Sequence, residues 1–113
     1  MIGPRRGEVW FTDLNPTRGH EQAGRRPVLV ISIDAFNTGP ADLVLVLPIT
    51  SNQRGVLYHV SVTPPECGLA KPSDILCDAI RSIAKERLAR RLGAISAATM
   101  AAVEERLRII QGL

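Results

Sequence analysis

Two hydrophobic periods run along this chain. Up to residue 95, apolar residues come in short runs broken by Gly, Pro, Asn and polar clusters; from Ser96 they recur at three- to four-residue spacing. Residues 7–13 carry Val9, Trp10, Phe11 and Thr12, all good strand formers. Residues 28–33, apolar but for Ser32, and 43–47 are continuous runs that predict strands buried on both faces. Pro48 sits near the end of the second run, followed by Ile49, Thr50, Ser51 and Asn52. Residues 56–62 alternate, which suits a half-exposed strand. Residues 74–83 predict another strand, interrupted by Asp78 and Arg81. One helical turn is expected at 85–88 and a short last strand at 92–95. Residues 15–25 and 64–72 read as loops and 37–40 as a turn, from their Gly, Pro and Asn content.

Ser96 is placed to cap a helix carrying Met100, Val103, Leu107 and Ile110 on one side, with Glu104, Glu105 and Arg108 outward. Gly112 fits its stop. Five or six short strands and a terminal helix predict a mainly β fold with one helix: a small, strongly bent sheet or partial barrel. At 113 residues this is one domain, spanning 1–113. Only Trp10, Phe11, Phe36 and Tyr58 are aromatic, so Val, Leu, Ile and Ala must build the core. Such a small core makes pairing of two copies a reasonable expectation.

Charge adds a possible partner. The net charge is +3, and 12 of the 14 basic residues are Arg, whose planar fork suits phosphate oxygens. Cys67 and Cys77 are too few and too widely spaced for a zinc cage or a redox pair. Cys77 reads as a core residue and Cys67 as a loop residue. With no signal segment and no apolar run of membrane-spanning length, the expectation is a cytoplasmic protein with reduced thiols.

Candidate chemistry falls in three polar stretches: residues 18–27, 48–52 and 73–82. Arg25 and Arg26 stand at the mouth of a buried strand, and Pro27 biases Arg26 toward extended backbone. Thr50, Ser51 and Asn52 end the next strand in groups able to hydrogen-bond phosphate. If those strands are neighbours, Arg26 and Thr50 converge on one phosphate. Taken alone, the same residues also fit a solvated strand edge and ordinary turn chemistry.

The blocks Arg-Gly-Glu-Val-Trp (6–10), Gly-His-Glu-Gln-Ala-Gly-Arg-Arg-Pro-Val-Leu-Val-Ile (19–31), Leu-Pro-Ile-Thr-Ser-Asn (47–52), Gly-Leu-Ala-Lys-Pro-Ser-Asp (68–74) and Asp-Ala-Ile-Arg-Ser-Ile-Ala-Lys-Glu-Arg-Leu (78–88) occur in that order. Together they resemble the MazF/PemK/Kid toxins of toxin–antitoxin modules, over nearly the whole chain. The resemblance implies an SH3-like barrel with a C-terminal helix and a homodimer. It implies a sequence-selective, metal- and cofactor-independent endoribonuclease acting on single-stranded RNA. A cognate antitoxin would inhibit it, and operator DNA would be reached only through that antitoxin.

By position, Arg26 and Thr50 match the family's catalytic pair. Glu21 and Gln22 match a loop over the RNA, Arg25, Ser51 and Asn52 fall in the same site, and Arg81 matches a strand Arg. His20 is the tempting general base of the loop; His59 reads as structural. Many relatives carry Gln where Ala79 stands here, so their sequence preference does not transfer. Two competing functions are a gyrase-poisoning toxin of the same fold, as in CcdB, and a nucleic-acid-binding module without catalysis. The first needs a C-terminal tryptophan, whereas this chain ends Ile109-Ile110-Gln111-Gly112-Leu113 with its one tryptophan at Trp10.

Overall fold

The computed structural model describes residues 3–14 and 24–113. Its strands are β1 (Glu8–Asp13), β2 (Arg25–Val30), β3 (Leu43–Thr50), β4 (His59–Val62), β5 (Ser73–Leu76), β6 (Arg81–Ala84) and β7 (Leu88–Ala94). A short helical turn, α1 (Asp34–Asn37), follows β2, and helix α2 (Ala97–Gln111) ends the fold. Pairing is antiparallel in the order β4-β5-β3-β2-β1-β7, with β6 on the same edge of β3 as β5. The sheet is therefore strongly bent, and among the described residues its hydrogen bonding does not close into a barrel.

The open seam is sealed by backbone packing. A 3₁₀ turn at Glu66–Gly68 lies against β7. A Cβ added at Gly68 would fall 2.1 Å from the Leu92 carbonyl oxygen, and Gly68 has φ +67°. Gly93 approaches the Cys67 carbonyl carbon as closely, at 2.7 Å from the position of its missing Cβ. Cys67, expected in a loop, is buried in this contact, and Cys77 joins the same core as expected.

Helix α2 begins as its sequence predicts: the Ser96 hydroxyl accepts the Thr99 N–H at 3.1 Å, and Gly112 ends it in the left-handed region. Glu66 accepts the Ser96 N–H at 3.0 Å, which is the main reason its carboxyl lies below the usual carboxylate range. Arg6 reaches Glu104 at 2.9 Å and ties the same helix to the N-terminal segment. Val103 and Leu107 are buried against Val9, Leu29, Val60 and Ile75, whereas Ile110 stays exposed. Val28, Val30, Val44, Val46 and Ile83 form a second cluster on the other face. The apolar runs of β2 and β3 thus mark burial on both sides.

Several element boundaries differ from the sequence expectation: β2 ends at Val30 instead of 33, β4 begins at His59 instead of 56, β7 spans Leu88–Ala94 instead of 92–95, and three further differences bear on the site. Strand β2 starts at Arg25, so both arginines are sheet residues. The segment 74–83 is broken into β5 and β6, because Leu47 and Pro48 of β3 face the five-residue stretch 76–80. Strand β3 runs through Pro48 to Thr50. The Leu45 carbonyl accepts the Ile31 N–H at 3.0 Å, so alternate residues, Pro48 among them, direct their backbone toward β5 and β6. Pro48's missing N–H falls in the gap between those strands, where no ladder bond is lost.

Candidate functional site

The register places a row of polar side chains across five strands. Thr12 of β1 pairs with Arg26 of β2. Val28 pairs with Pro48, and continuing that register by two residues sets Arg26 opposite Thr50. Thr50 pairs with Asp74 of β5, and Asp74 with Ser61 of β4. Directly opposed residues share a face, with Cβ atoms about 4.5–5.5 Å apart. The adjoining row on that face is Trp10, Val28 and Pro48. The face turns from apolar to polar at one register step, and Arg26 and Thr50 stand at its centre.

Each member is held in place. Thr12 is fully buried and donates its hydroxyl to the Arg87 carbonyl. Asp74, 2% exposed, accepts from the Ser61 hydroxyl at 2.8 Å and the Gln53 amide at 3.1 Å. The Thr50 hydroxyl oxygen accepts the Asn52 N–H at 3.1 Å, which folds the chain back over the strand end while the hydroxyl keeps its own proton to donate. Burial pushes the Arg26 guanidinium below its ordinary value, yet an arginine so placed stays a cation. A cation partly removed from water acts on a nearby phosphate through a lower effective dielectric.

Two hollows meet at Thr50. One, of about 350 Å³, is lined by Arg25, Arg26, Thr50, Ser51, Lys71 and Ser73 among others. The second, of about 320 Å³, lies toward β4 and is lined by Thr50, Asn52, Arg54, Val56, His59, Leu76, Asp78 and Ala79. The predicted residues Arg25, Arg26, Thr50, Ser51 and Asn52 are thus brought together. Arg81 pairs with Val46 on the same face but lines neither hollow. His20, Glu21 and Gln22 lie outside the described residues.

Sequence reasoning missed Asp74, Arg54, Lys71 and the placement of His59. His59 lines the second hollow, 2.9 Å from Asp78 through Nε2. The alternation of Val60 and Val62 with His59 and Ser61 was the available signal, since it puts both polar residues on the outward face. The first hollow sets three cations and the hydroxyls of Thr50, Ser51 and Ser73 beside Pro27, Ile49, Leu69 and Ala70; the second sets one cation and a carboxylate beside Val56, Leu76 and Ala79. The first suits a phosphate and the second a flat, polar-edged ring.

Residues 5–111 match the family of PemK-like, MazF-like toxins of type II toxin–antitoxin systems. Endoribonuclease MazF9 of Mycobacterium tuberculosis is 39% identical over 110 residues, covering 93% of each chain. The crystal structure of MazF from Deinococcus radiodurans superposes with a TM-score of 0.87 at 32% identity over the full length of both chains. An endoribonuclease in complex with its cognate antitoxin, from a mycobacterial species, superposes with a TM-score of 0.77 at 26% identity, covering 100% of this chain and 97% of that one.

Proposed function

The chain belongs to the PemK-like, MazF-like toxins of type II toxin–antitoxin systems, and on that premise we propose that it is an endoribonuclease that cuts single-stranded RNA and is neutralised by a cognate antitoxin protein. The observation that carries this reading is that Arg26 and Thr50 line one hollow together with Arg25 and Lys71, where the β2–β3 register, continued by two residues, sets the two opposite each other. The names of relatives covering nearly the whole chain support it.

The RNA supplies its own nucleophile. The 2′-hydroxyl gives up its proton and attacks the adjacent phosphorus, the 2′-O–P bond forms, and the P–O5′ bond breaks as the leaving oxygen takes a proton. The ends are a 2′,3′-cyclic phosphate and a 5′-hydroxyl, and no metal is needed to generate the attacking group. The protein's work is to hold the phosphate in line and stabilise the charge that builds on it. Arg26 neutralises that charge, and Thr50 donates its hydroxyl to a non-bridging oxygen. Arg25, Ser51 and Asn52 hold the flanking backbone, and Arg81 contacts it further along the face. Glu21 and Gln22 cover the RNA, with His20 beside them as proton acceptor. The protein acts as a homodimer in the cytoplasm and meets operator DNA only through its antitoxin.

Incubating the purified protein with a long single-stranded RNA in EDTA tests the proposal. The wild type cuts; Arg26→Ala cuts about 10²–10³ more slowly, the scale for removing one charge-stabilising donor. Mass spectrometry should find cyclic-phosphate ends. Equal cleavage by both proteins, or 5′-phosphate ends, would overturn the mechanism, and binding without cleavage by the wild type would make it a binding module.

A further inference from the structure

The second hollow contains a hydrogen-bonded pair, a buried histidine and a half-exposed carboxylate, that the cleavage chemistry leaves unused. The His59 side chain is only 11% exposed, and its Nε2 lies 2.9 Å from one oxygen of Asp78, whose side chain is 47% exposed. His59 Nδ1 is buried and has no hydrogen-bond partner among the described residues. A carboxylate only accepts, so Nε2 carries a proton and donates it to Asp78. One carboxylate oxygen is thereby held, and Asp78 itself lines the hollow. Asp78 stands in the stretch 76–80, where five residues face two of β3, so it projects from the sheet instead of lying in it.

The rest of the hollow has a defined chemistry. Val56, Leu76 and Ala79 give it apolar walls, and Asn52 and Arg54 bring hydrogen-bond donors. Thr50 belongs to this hollow and to the phosphate site alike. A nucleobase entering it is therefore attached to a nucleotide next to the scissile phosphate. A carboxylate accepts only, and among the four bases guanine alone presents two adjacent donors, N1–H and the 2-amino group, with the acceptor O6 beside them. Uracil offers a single ring donor, and adenine and cytosine offer an amino group next to a bare ring nitrogen.

We propose that this hollow selects guanine next to the cut, with Asp78 accepting from N1–H and the 2-amino group, Arg54 or Asn52 donating to O6, and His59 as the positioning residue that fixes Asp78. The proposal rests on the endoribonuclease reading above. Its test is cut-site mapping on a long RNA of mixed sequence, followed by rates on a short RNA carrying guanosine, inosine or adenosine at the preferred position. Wild type is expected to favour guanosine about ten- to a hundredfold over adenosine, the scale of one well-made bidentate base contact. Inosine, lacking the 2-amino group, should fall between them. Asp78→Asn should flatten the preference, bringing the guanosine and adenosine rates together. His59→Ala should flatten it in the same way, and His59→Gln, which keeps a donor toward Asp78, should restore part of it. No cleavage of any RNA by wild type would sink the endoribonuclease reading. Cleavage without guanine preference would sink this inference alone. Loss of cleavage on every substrate in Asp78→Asn would also overturn it, by assigning Asp78 to the chemical step.

Discussion

Thr12 is a hydroxyl drawn fully into a sheet, and it anchors β1 to the chain entering β7 through the Arg87 carbonyl. Replacing it with Val keeps the shape and leaves that carbonyl without its donor. Thr12→Val should lower stability by about 1 kcal/mol in urea denaturation, and an unchanged midpoint would mean the bond contributes nothing net. At this scale Arg26 and Thr50 were readable in sequence, because Pro27 and Pro48 mark the strand segments that hold them. Asp74 and His59 were not. Alternation puts His59 and Ser61 on the outward face, but what they meet there depends on the pairing of β4 with β5 and on the stretch that carries Asp78, relations between residues 13 (Ser61–Asp74) and 19 (His59–Asp78) positions apart.

At the scale of elements, the seam between the Glu66–Gly68 turn and β7 substitutes close backbone contact for hydrogen bonds. Gly68 meets two requirements there, a positive φ and the absence of a Cβ. Gly68→Ala should cost at least about 3 kcal/mol, the range for combined strain and overpacking, measured by thermal or chemical unfolding; Gly55→Ala, also at positive φ but with open space around it, should cost less. The helix, its cap and its stop were legible because their signals are local. The ends of β3 and β4 were not. Proline normally ends a central strand, and only the gap opposite it lets β3 continue. Residues 56–58 alternate like a strand, yet β4 begins at His59, because Val56 and Tyr58 are exposed and have no neighbouring strand to pair with.

For the whole molecule, the expected bent antiparallel sheet with a C-terminal helix is what the structure has, and among the described residues it is the partial, unclosed form of the barrel, completed by a turn and a helix. Arg25, Arg26, Arg54 and Lys71 all border the two hollows around Thr50, concentrating positive charge on the face that the polar row defines. Affinity for an RNA made uncuttable by 2′-O-methylation should therefore fall with salt. If all four cations meet phosphates, the logarithmic slope is about −3, at roughly −0.7 for each contact on a single strand. Fluorescence anisotropy across a salt series would measure it, and a flat response would argue that the strand does not follow this face.

The mismatch of five residues against two between β5 and β6 has a consequence for how such proteins can diversify. The β2–β3 ladder whose register sets Arg26 across from Thr50 does not pass through the stretch 76–80, so that stretch can change composition, or even length, without shifting that pair. If Arg26 and Thr50 cut RNA as proposed, new target preferences can evolve at this protrusion while the machinery of scission is inherited unaltered.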